Sequence, residues 1–171
     1  MRSTSYGLIG HPLGHSLSPF IHESLMAAAG LPGSYRLYDI APNELATRVP
    51  QLLEELDGFN VTIPYKEAVI PFLDELDASA ADFGAVNTVF RRRGHNTDRI
   101  GFRRQAIDLA GSRVLVVGAG GVSRMMAFES VRAGACVFIT SRTLEKAQRL
   151  ADELGATALP TADLAGRSFD V

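Results

Sequence analysis

Cysteine is nearly absent from this chain of 171 residues: Cys136 stands alone. No internal disulfide can form, and a reducing compartment is the natural expectation. No segment approaches the roughly 18 consecutive apolar residues that cross a bilayer, and the opening MRSTSYGLIGHPLGHS meets polar residues before it reaches signal-peptide length. Charge of one sign is scarce as well. The formal net charge is -2, and the longest basic cluster, Arg91 to Arg93, argues against a nucleic-acid surface and for a small-molecule or protein partner. His11, His15, His22 and His95 lack the spacing of a zinc site. No strand-to-helix elbow surrounds Ser16, as a hydrolase nucleophile would require. The expectation is a soluble, cytoplasmic protein without metal, nucleic acid or membrane as partner. Lysine is also rare: of the 17 basic residues only Lys66 and Lys146 are lysines, which suggests that a compact ammonium is wanted at those two places.

What is present describes an α/β protein. With 46% hydrophobic and 21% charged residues, the chain can bury a sizeable core, and its length suits one ordinary domain or two small ones. YGLIG reads as a strand, followed by the loop HPLGHSLS and a helix with Ser18 as N-cap, Pro19 in its first turn and Gly30 past its end. SYRLYDI reads as a strand and PNELATRVPQLLEELDG as a helix that Pro50 breaks or kinks. FNVTI is a third strand, PYKEAVIPFLDEL a helical stretch interrupted at Pro71, ASAADFG another helical piece and AVNTVFRR a strand. GHNTD then forms a turn into a helix from Arg99 to Ala110. Strands alternating with helices predict a mostly parallel sheet. The expected division is a substrate domain over 1-101 and a Rossmann dinucleotide-binding domain over 102-171, with SFDV opening a fourth strand that makes the second domain look incomplete.

The second half carries RVLVVGAGGVS, a strand running into Gly118, Ala119, Gly120, Gly121 and Val122 and then into a helix. Gly118 permits the tight turn, Gly120 lets the backbone approach a pyrophosphate, and the helix amides favour its charge. The third position is Ser123, still small enough for close packing. About twenty residues on, an NAD site usually places a carboxylate on the ribose. Here stands TSRTLEK instead. Arg142 offers a planar cation, Thr143 a hydroxyl and Lys146 a second cation, a set that favours NADP; Thr143 can equally cap the following helix.

Three polar clusters interrupt apolar surroundings in the first hundred residues: Ser16 and Ser18; Asn60, Thr62 and Lys66; Asn87 and Asp98. In a parallel α/β layer, loops at the carboxyl ends of neighbouring strands converge, so the clusters can share a crevice. Hydroxyls, carboxamides, one ammonium and one carboxylate suit a small polyhydroxylated anion. Each residue also has a plainer reading: Ser18 and Asp98 as helix caps, the asparagines as backbone partners, Lys66 on a solvated face.

SLSP, FNVTIPYKE, GAVNTV, NTDRIGF, GAGGVSR and SRT, in this order and spacing, resemble the shikimate dehydrogenases over essentially the whole chain. The resemblance implies reversible, NADP-dependent reduction of 3-dehydroshikimate to shikimate in aromatic amino acid biosynthesis. Ser16 and Ser18 would bind the substrate carboxylate, and Asn60, Thr62, Asn87 and Asp98 the ring hydroxyls. Lys66 and Asp98 would form the catalytic pair; Gly118 to Val122 with Ser141, Arg142, Thr143 and Lys146 would hold NADP. Serine at the second position of SLSP favours shikimate over the bulkier quinate. Monomer and homodimer both stay open.

Two departures from the family pattern stand out. Arg99 occupies a position where the family leads one to expect a small or aromatic residue, so the rim of the site is expected to differ. Roughly a hundred further residues are also expected of a two-domain enzyme. A 171-residue polypeptide acting alone is expected to turn over weakly or not at all, which leaves a fragment or a non-catalytic binding or regulatory module as the alternative.

Overall fold

Strand β1 (Thr4–Gly10) shows how the first half of the chain is layered. Its side chains alternate between two faces. Leu8, with Tyr6, packs against Leu13, Tyr35 and Met26 on one face; Ile9 packs with Val49, Leu52 and Val61 on the other. The computed structural model describes residues 4–105 and 107–171, and the chain divides into two units, Met1–Asn96 and Thr97–Val171.

In the first unit β1 pairs in parallel with β2 (Gly33–Asp39) on one side and β3 (Gly58–Val61) on the other. Helices α1 (Ser18–Ala28) and α2 (Leu45–Glu55) lie on the crossovers between these parallel strands. The sheet continues through β4 (Glu75–Leu76), β5 (Thr88–Phe90) and β6 (Arg93–His95) in the order β2-β1-β3-β5-β6-β4. Pro50 leaves α2 intact, contrary to expectation. Pro50 and Ala46 are both exposed, so the Ala46 carbonyl that loses its helical donor can turn to water.

Two further readings of this unit are corrected. The turn expected at GHNTD lies instead at Arg91 and Arg92, with φ of 50° and 62°, and Gly94 and His95 belong to β6, antiparallel to β5. Bare of a side chain, Gly94 lets β6 settle against Leu73, Leu76 and Val86, whose atoms stand 2.7 to 2.8 Å from where a Cβ would sit. No α-helix forms over PYKEAVIPFLDEL. The Lys66 carbonyl accepts from Val86 N at 2.7 Å, and Ile70 N turns to Glu67 O at 3.2 Å, so the segment runs as turns into a 3-10 turn at Ile70–Phe72 and then β4. Helix α3 (Ala78–Ala81) follows, its N-cap Asp77 accepting from Ser79 N at 2.8 Å.

The second unit opens with α4 (Asp98–Arg104), which ends well before Ala110. Leu109 leaves the helical path to bury itself with Val114 and Val137; Ala106 lies outside the described residues. Then come β7 (Arg113–Val117), α5 (Gly121–Arg132), β8 (Cys136–Thr140), α6 (Leu144–Leu154) and β9 (Thr157–Ala158), a parallel sheet in the order β7-β8-β9. SFDV forms no strand among the described residues, but its last residues lie along β7: Leu115 N donates to Val171 O at 2.9 Å, and Asp170 N to Arg113 O at 2.8 Å. Arg113 lies over the rings of Phe138 and Phe169, its Cζ 5.3 and 5.8 Å from their centroids, which ties this tail to β8. The chain thus builds outward from β7 first one way and then the other, the topological switch point at which α/β sheets bind ligands. Both units are α/β with mostly parallel strand pairing, the second of Rossmann type.

Candidate functional site

The polar residues singled out in the first unit fall into two hydrogen-bonded groups, Ser16 with Ser18 and Asn60 with Asn87. Ser16 Oγ donates to Ser18 Oγ at 3.1 Å and accepts from Ser18 N at 3.3 Å. The Tyr35 hydroxyl donates to Asn60 Oδ1 at 2.7 Å. Asn60 Nδ2 donates to Asn87 O at 3.3 Å and to Thr88 Oγ1 at 3.1 Å, and the Thr88 hydroxyl donates to Asn87 Oδ1 at 3.0 Å. Ser18 is therefore not the N-cap of α1. Leu17 holds that position without a side-chain bond, because the Ser16 hydroxyl takes the Ser18 amide instead.

The loop that carries the two serines is held from β2. Asp39 accepts from Leu13 N at 2.9 Å and meets His11 Nδ1 at 2.6 Å, and Ser16 N closes the turn onto Leu13 O at 3.0 Å. The Leu13 amide, followed by His11, holds the Asp39 carboxyl below its ordinary pKa. On β3, Phe59 and Val61 face the α2 side and Asn60 the network, as alternation requires. Ile63 does not continue the buried set: it is 71% exposed, since the chain has left the sheet after Val61. Thr62 is half-buried just past the strand, its amide donating to Ile9 O at 2.9 Å and its methyl filling space left open by Gly10.

Lys66 sits on a turn rather than on a helix. Tyr65, beside it, is buried and donates its hydroxyl to Ile40 O at 2.5 Å, while the Lys66 carbonyl holds Val86 N. The half-buried Lys66 side chain is thereby fixed to the segment that presents Asn87. A cavity of about 340 Å³ lies beside α1, lined mainly by apolar groups from Tyr6, Met26 and Phe90. It touches the network at Tyr35, Asn60 and Thr88 but is not lined by Ser16, Ser18 or Lys66, so it lies beside the polar cluster rather than containing it.

Burial raises the Tyr35 phenol to about 12, slightly offset by Ser18, and burial with the charges of Asp39 and Glu44 raises Tyr65. A phenol whose folded pKa lies above its unfolded value of about 10 stabilises the fold fully below that pH, and the contribution fades as pH climbs toward the folded value. An ultraviolet titration is therefore expected to show Tyr35 and Tyr65 ionising after pH 10, with stability to urea falling over the same interval. Ordinary titration of all four tyrosines would contradict the buried hydrogen-bonded placement of these two.

In the second unit the glycine turn is tight at Gly118 and open at Gly120. Gly118 has φ of 116°, and a Cβ there would stand 2.7 Å from Ser123 Oγ, so no other residue fits without strain. Gly120, extended at φ -98° as N-cap of α5, has nothing within 4 Å of a would-be Cβ, which leaves the backbone approachable from outside. Gly118 N donates to Thr140 O at 2.7 Å and binds the turn to the end of β8. Ser141 accepts from Thr143 N at 3.3 Å, and Thr143 occupies the N-cap of α6 without a side-chain capping bond. Arg142 and Lys146 are exposed. Ala119 and Val122 line the same turn, Val122 with its side chain outward.

Asp98 is the first residue of α4 and belongs to this second unit, with Thr97 as N-cap. Arg99 does not alter a rim. It is 7% exposed and turns onto α5, its Nε donating to Glu129 Oε1 at 2.6 Å with Phe128 beneath its guanidinium at 5.6 Å. Arg103, one turn on, donates to both Glu129 oxygens, at 2.5 and 3.2 Å. Among the described residues no group of His, Cys, Asp and Glu side chains could hold a metal ion, and no helix is long and apolar enough to cross a membrane.

Comparison with known proteins matches residues 8–89 to the shikimate dehydrogenase substrate binding domain and residues 102–168 to the shikimate / quinate 5-dehydrogenase family. The crystal structure of the Thermus thermophilus shikimate 5-dehydrogenase in complex with shikimate superposes with a TM-score of 0.80 at 35% identity, over 98% of this chain and 72% of that one. This chain belongs to the shikimate dehydrogenase family. A crystal structure of the same Thermus enzyme with NADP(H) and shikimate gives a TM-score of 0.78 at 38% identity, over 92% of this chain and 63% of that one. The NADP(+)-dependent shikimate dehydrogenase of Shouchella clausii is 45% identical over 157 residues, covering 85% of this chain and 57% of the relative. The chain spans a little over half the length of the curated relatives it matches.

Within the family pattern, sequence reasoning missed Tyr35, Tyr65 and Thr88. For the two tyrosines a signal existed. A tyrosine in an otherwise apolar strand or beside a core position needs a partner for its hydroxyl when buried. For Arg99 the signal was its spacing of four from Arg103, which puts two cations on one helix face and calls for a carboxylate opposite.

Proposed function

We propose that this chain binds shikimate and 3-dehydroshikimate through its first unit and NADP through its second, and serves an NADP-dependent shikimate dehydrogenase that interconverts the two. The observation that carries the proposal is the network joining Tyr35 and Asn60 to Asn87, with Ser16 and Ser18 paired at the start of α1, in a chain of this family. Hydroxyl donors at one end suit a carboxylate, and carboxamides at the other suit ring hydroxyls. The serine at position 18 supports shikimate over quinate. The single cysteine, Cys136, favours a reducing compartment, and residence in the cytoplasm is part of the proposal.

The glycine turn fits a dinucleotide: only glycine suits the φ of Gly118, and the open face at Gly120 admits a pyrophosphate beside the first amides of α5. NADPH bound there supplies the hydride. As hydride reaches the carbonyl carbon of 3-dehydroshikimate, charge grows on its oxygen, and the Lys66 ammonium stabilises that charge and delivers the proton. Thr62 and Asn87 hold ring hydroxyls. The carboxylate of Asp98 takes a hydroxyl and orients the proton transfer. Arg142 and Lys146, exposed at the start of α6 with Ser141 and Thr143, take the ribose phosphate.

The test is NADP reduction with shikimate as donor, measured beside shikimate binding by calorimetry. Saturable binding with reduction is expected of the full-length protein. No binding of shikimate overturns the reading, and binding without reduction reduces it to a binding module. Arg142→Ala is expected to lower the preference for NADPH over NADH by about tenfold or more, compared as kcat/KM, because a charge-assisted contact to the phosphate is lost. An unchanged ratio would remove Arg142 from the phosphate site.

A further inference from the structure

The hydrogen-bonded network has a direction that one backbone group imposes. The Asn87 carbonyl can only accept, and it takes both Val61 N at 2.8 Å and Asn60 Nδ2 at 3.3 Å. The Asn60 amide must therefore turn its nitrogen toward Asn87 and its oxygen toward Tyr35. The second N–H of Asn60 goes to Thr88 Oγ1 at 3.1 Å, so both its protons are committed. Asn60 Oδ1 can only accept, so the single Tyr35 proton is committed to it, at 2.7 Å. The protons of Tyr35 and Asn60 thus point the same way, toward Asn87 and Thr88.

We propose that Tyr35 is a positioning residue for the substrate. Its hydroxyl, donating to Asn60 Oδ1, fixes the aim of a carboxamide whose orientation Asn87 O already sets, so that the carbonyl oxygen is the group offered to a ring hydroxyl. This rests on the functional reading above. The Tyr35 ring is itself held in place, stacked on His22 with centroids 4.2 Å apart and planes 1° apart, so the hydroxyl is presented by a rigid plate. Asn60 thereby discriminates: a hydroxyl can donate to it, whereas a ketone or ether oxygen at the same place meets another acceptor. Deleting the Tyr35 hydroxyl leaves Asn60 Oδ1 without that donor, so the carboxamide is held from its nitrogen alone and its aim at a ring hydroxyl loosens.

Tyr35→Phe retains the ring and its stack on His22, which makes it the variant of choice. Calorimetry on the full-length protein is expected to show shikimate Kd rising about tenfold, with NADP Kd and the thermal midpoint unchanged. In an Asn60→Ala background the same substitution is expected to add nothing, because the residue through which Tyr35 acts is gone. An unchanged shikimate Kd in Tyr35→Phe overturns the inference, as does equal loss of both ligands with a lowered midpoint, which marks a structural role. Additivity with Asn60→Ala overturns it too. A wild type that binds no shikimate overturns the functional reading and this inference together; a wild type that binds it as tightly as Tyr35→Phe overturns this inference alone.

Discussion

Lys66→Ala is expected to slow NADP reduction by shikimate about a thousandfold while weakening shikimate binding by less than about tenfold. The asymmetry follows from when the ammonium acts. Several hydroxyls and carboxamides share the ground-state recognition of the substrate, whereas charge on the reacting oxygen develops only in the transition state. The backbone of residue 66 is held by its carbonyl to Val86 N at 2.7 Å and by the neighbouring Tyr65 to Ile40, and alanine keeps both ties. The variant should therefore fold. Lys66→Arg separates the two roles: it keeps a charge at the site but cannot release a proton, so binding is retained and rate is not. Steady-state kinetics with calorimetry check both. Equal losses in rate and affinity, or none in rate, would place Lys66 outside the chemistry.

Glu129→Ala is expected to destabilise the protein by about 3 to 5 kcal/mol, read as a shift of the urea midpoint. Its carboxylate is 7% exposed and receives bonds from Arg99 and Arg103. Arg99 is equally buried and cannot neutralise itself by losing a proton, so removal of Glu129 leaves a guanidinium away from water without its carboxylate. Arg103 is half exposed, and Arg103→Ala should cost about 1 kcal/mol or less. Replacing both buried partners, Arg99→Met with Glu129→Leu, should recover most of the loss, because desolvation of the pair offsets much of its attraction. A single Glu129→Ala no worse than Arg103→Ala would show that the pair is not buried in solution.

Legibility in the sequence tracked how local each cause was. The β7, α5, β8 and α6 succession was readable because apolar runs, Gly118, Gly120 and the left-handed Gly155 that ends α6 act within a few residues of themselves. The strand of Phe59 and Val61 was readable from alternation alone. PYKEAVIPFLDEL was misread as helical because the Lys66 carbonyl is taken by Val86, twenty residues on, and no window of composition reports that. Strand β6 was missed for a similar reason: Arg93, Gly94 and His95 have no strand pattern, and Gly94 is there for its fit against three distant side chains. Helix α4 was drawn too long because Leu109, which looks helical in sequence, is drawn into the core beneath β7 and β8. Among the candidate site residues, the serines, Asn60 and Asn87 were each legible singly. Tyr35, which bonds Asn60, was seen only as a strand residue.

The ties that hold the site together are made by main chain. Lys66 O meets Val86 N, Asn87 O meets Val61 N, and Asn87 N meets His95 O at 3.0 Å. None depends on which side chain positions 60, 66 or 87 carry. That main-chain frame persists when those side chains are exchanged, while exchange at 60 or 87 also gives up their side-chain bonds to Tyr35 and Thr88.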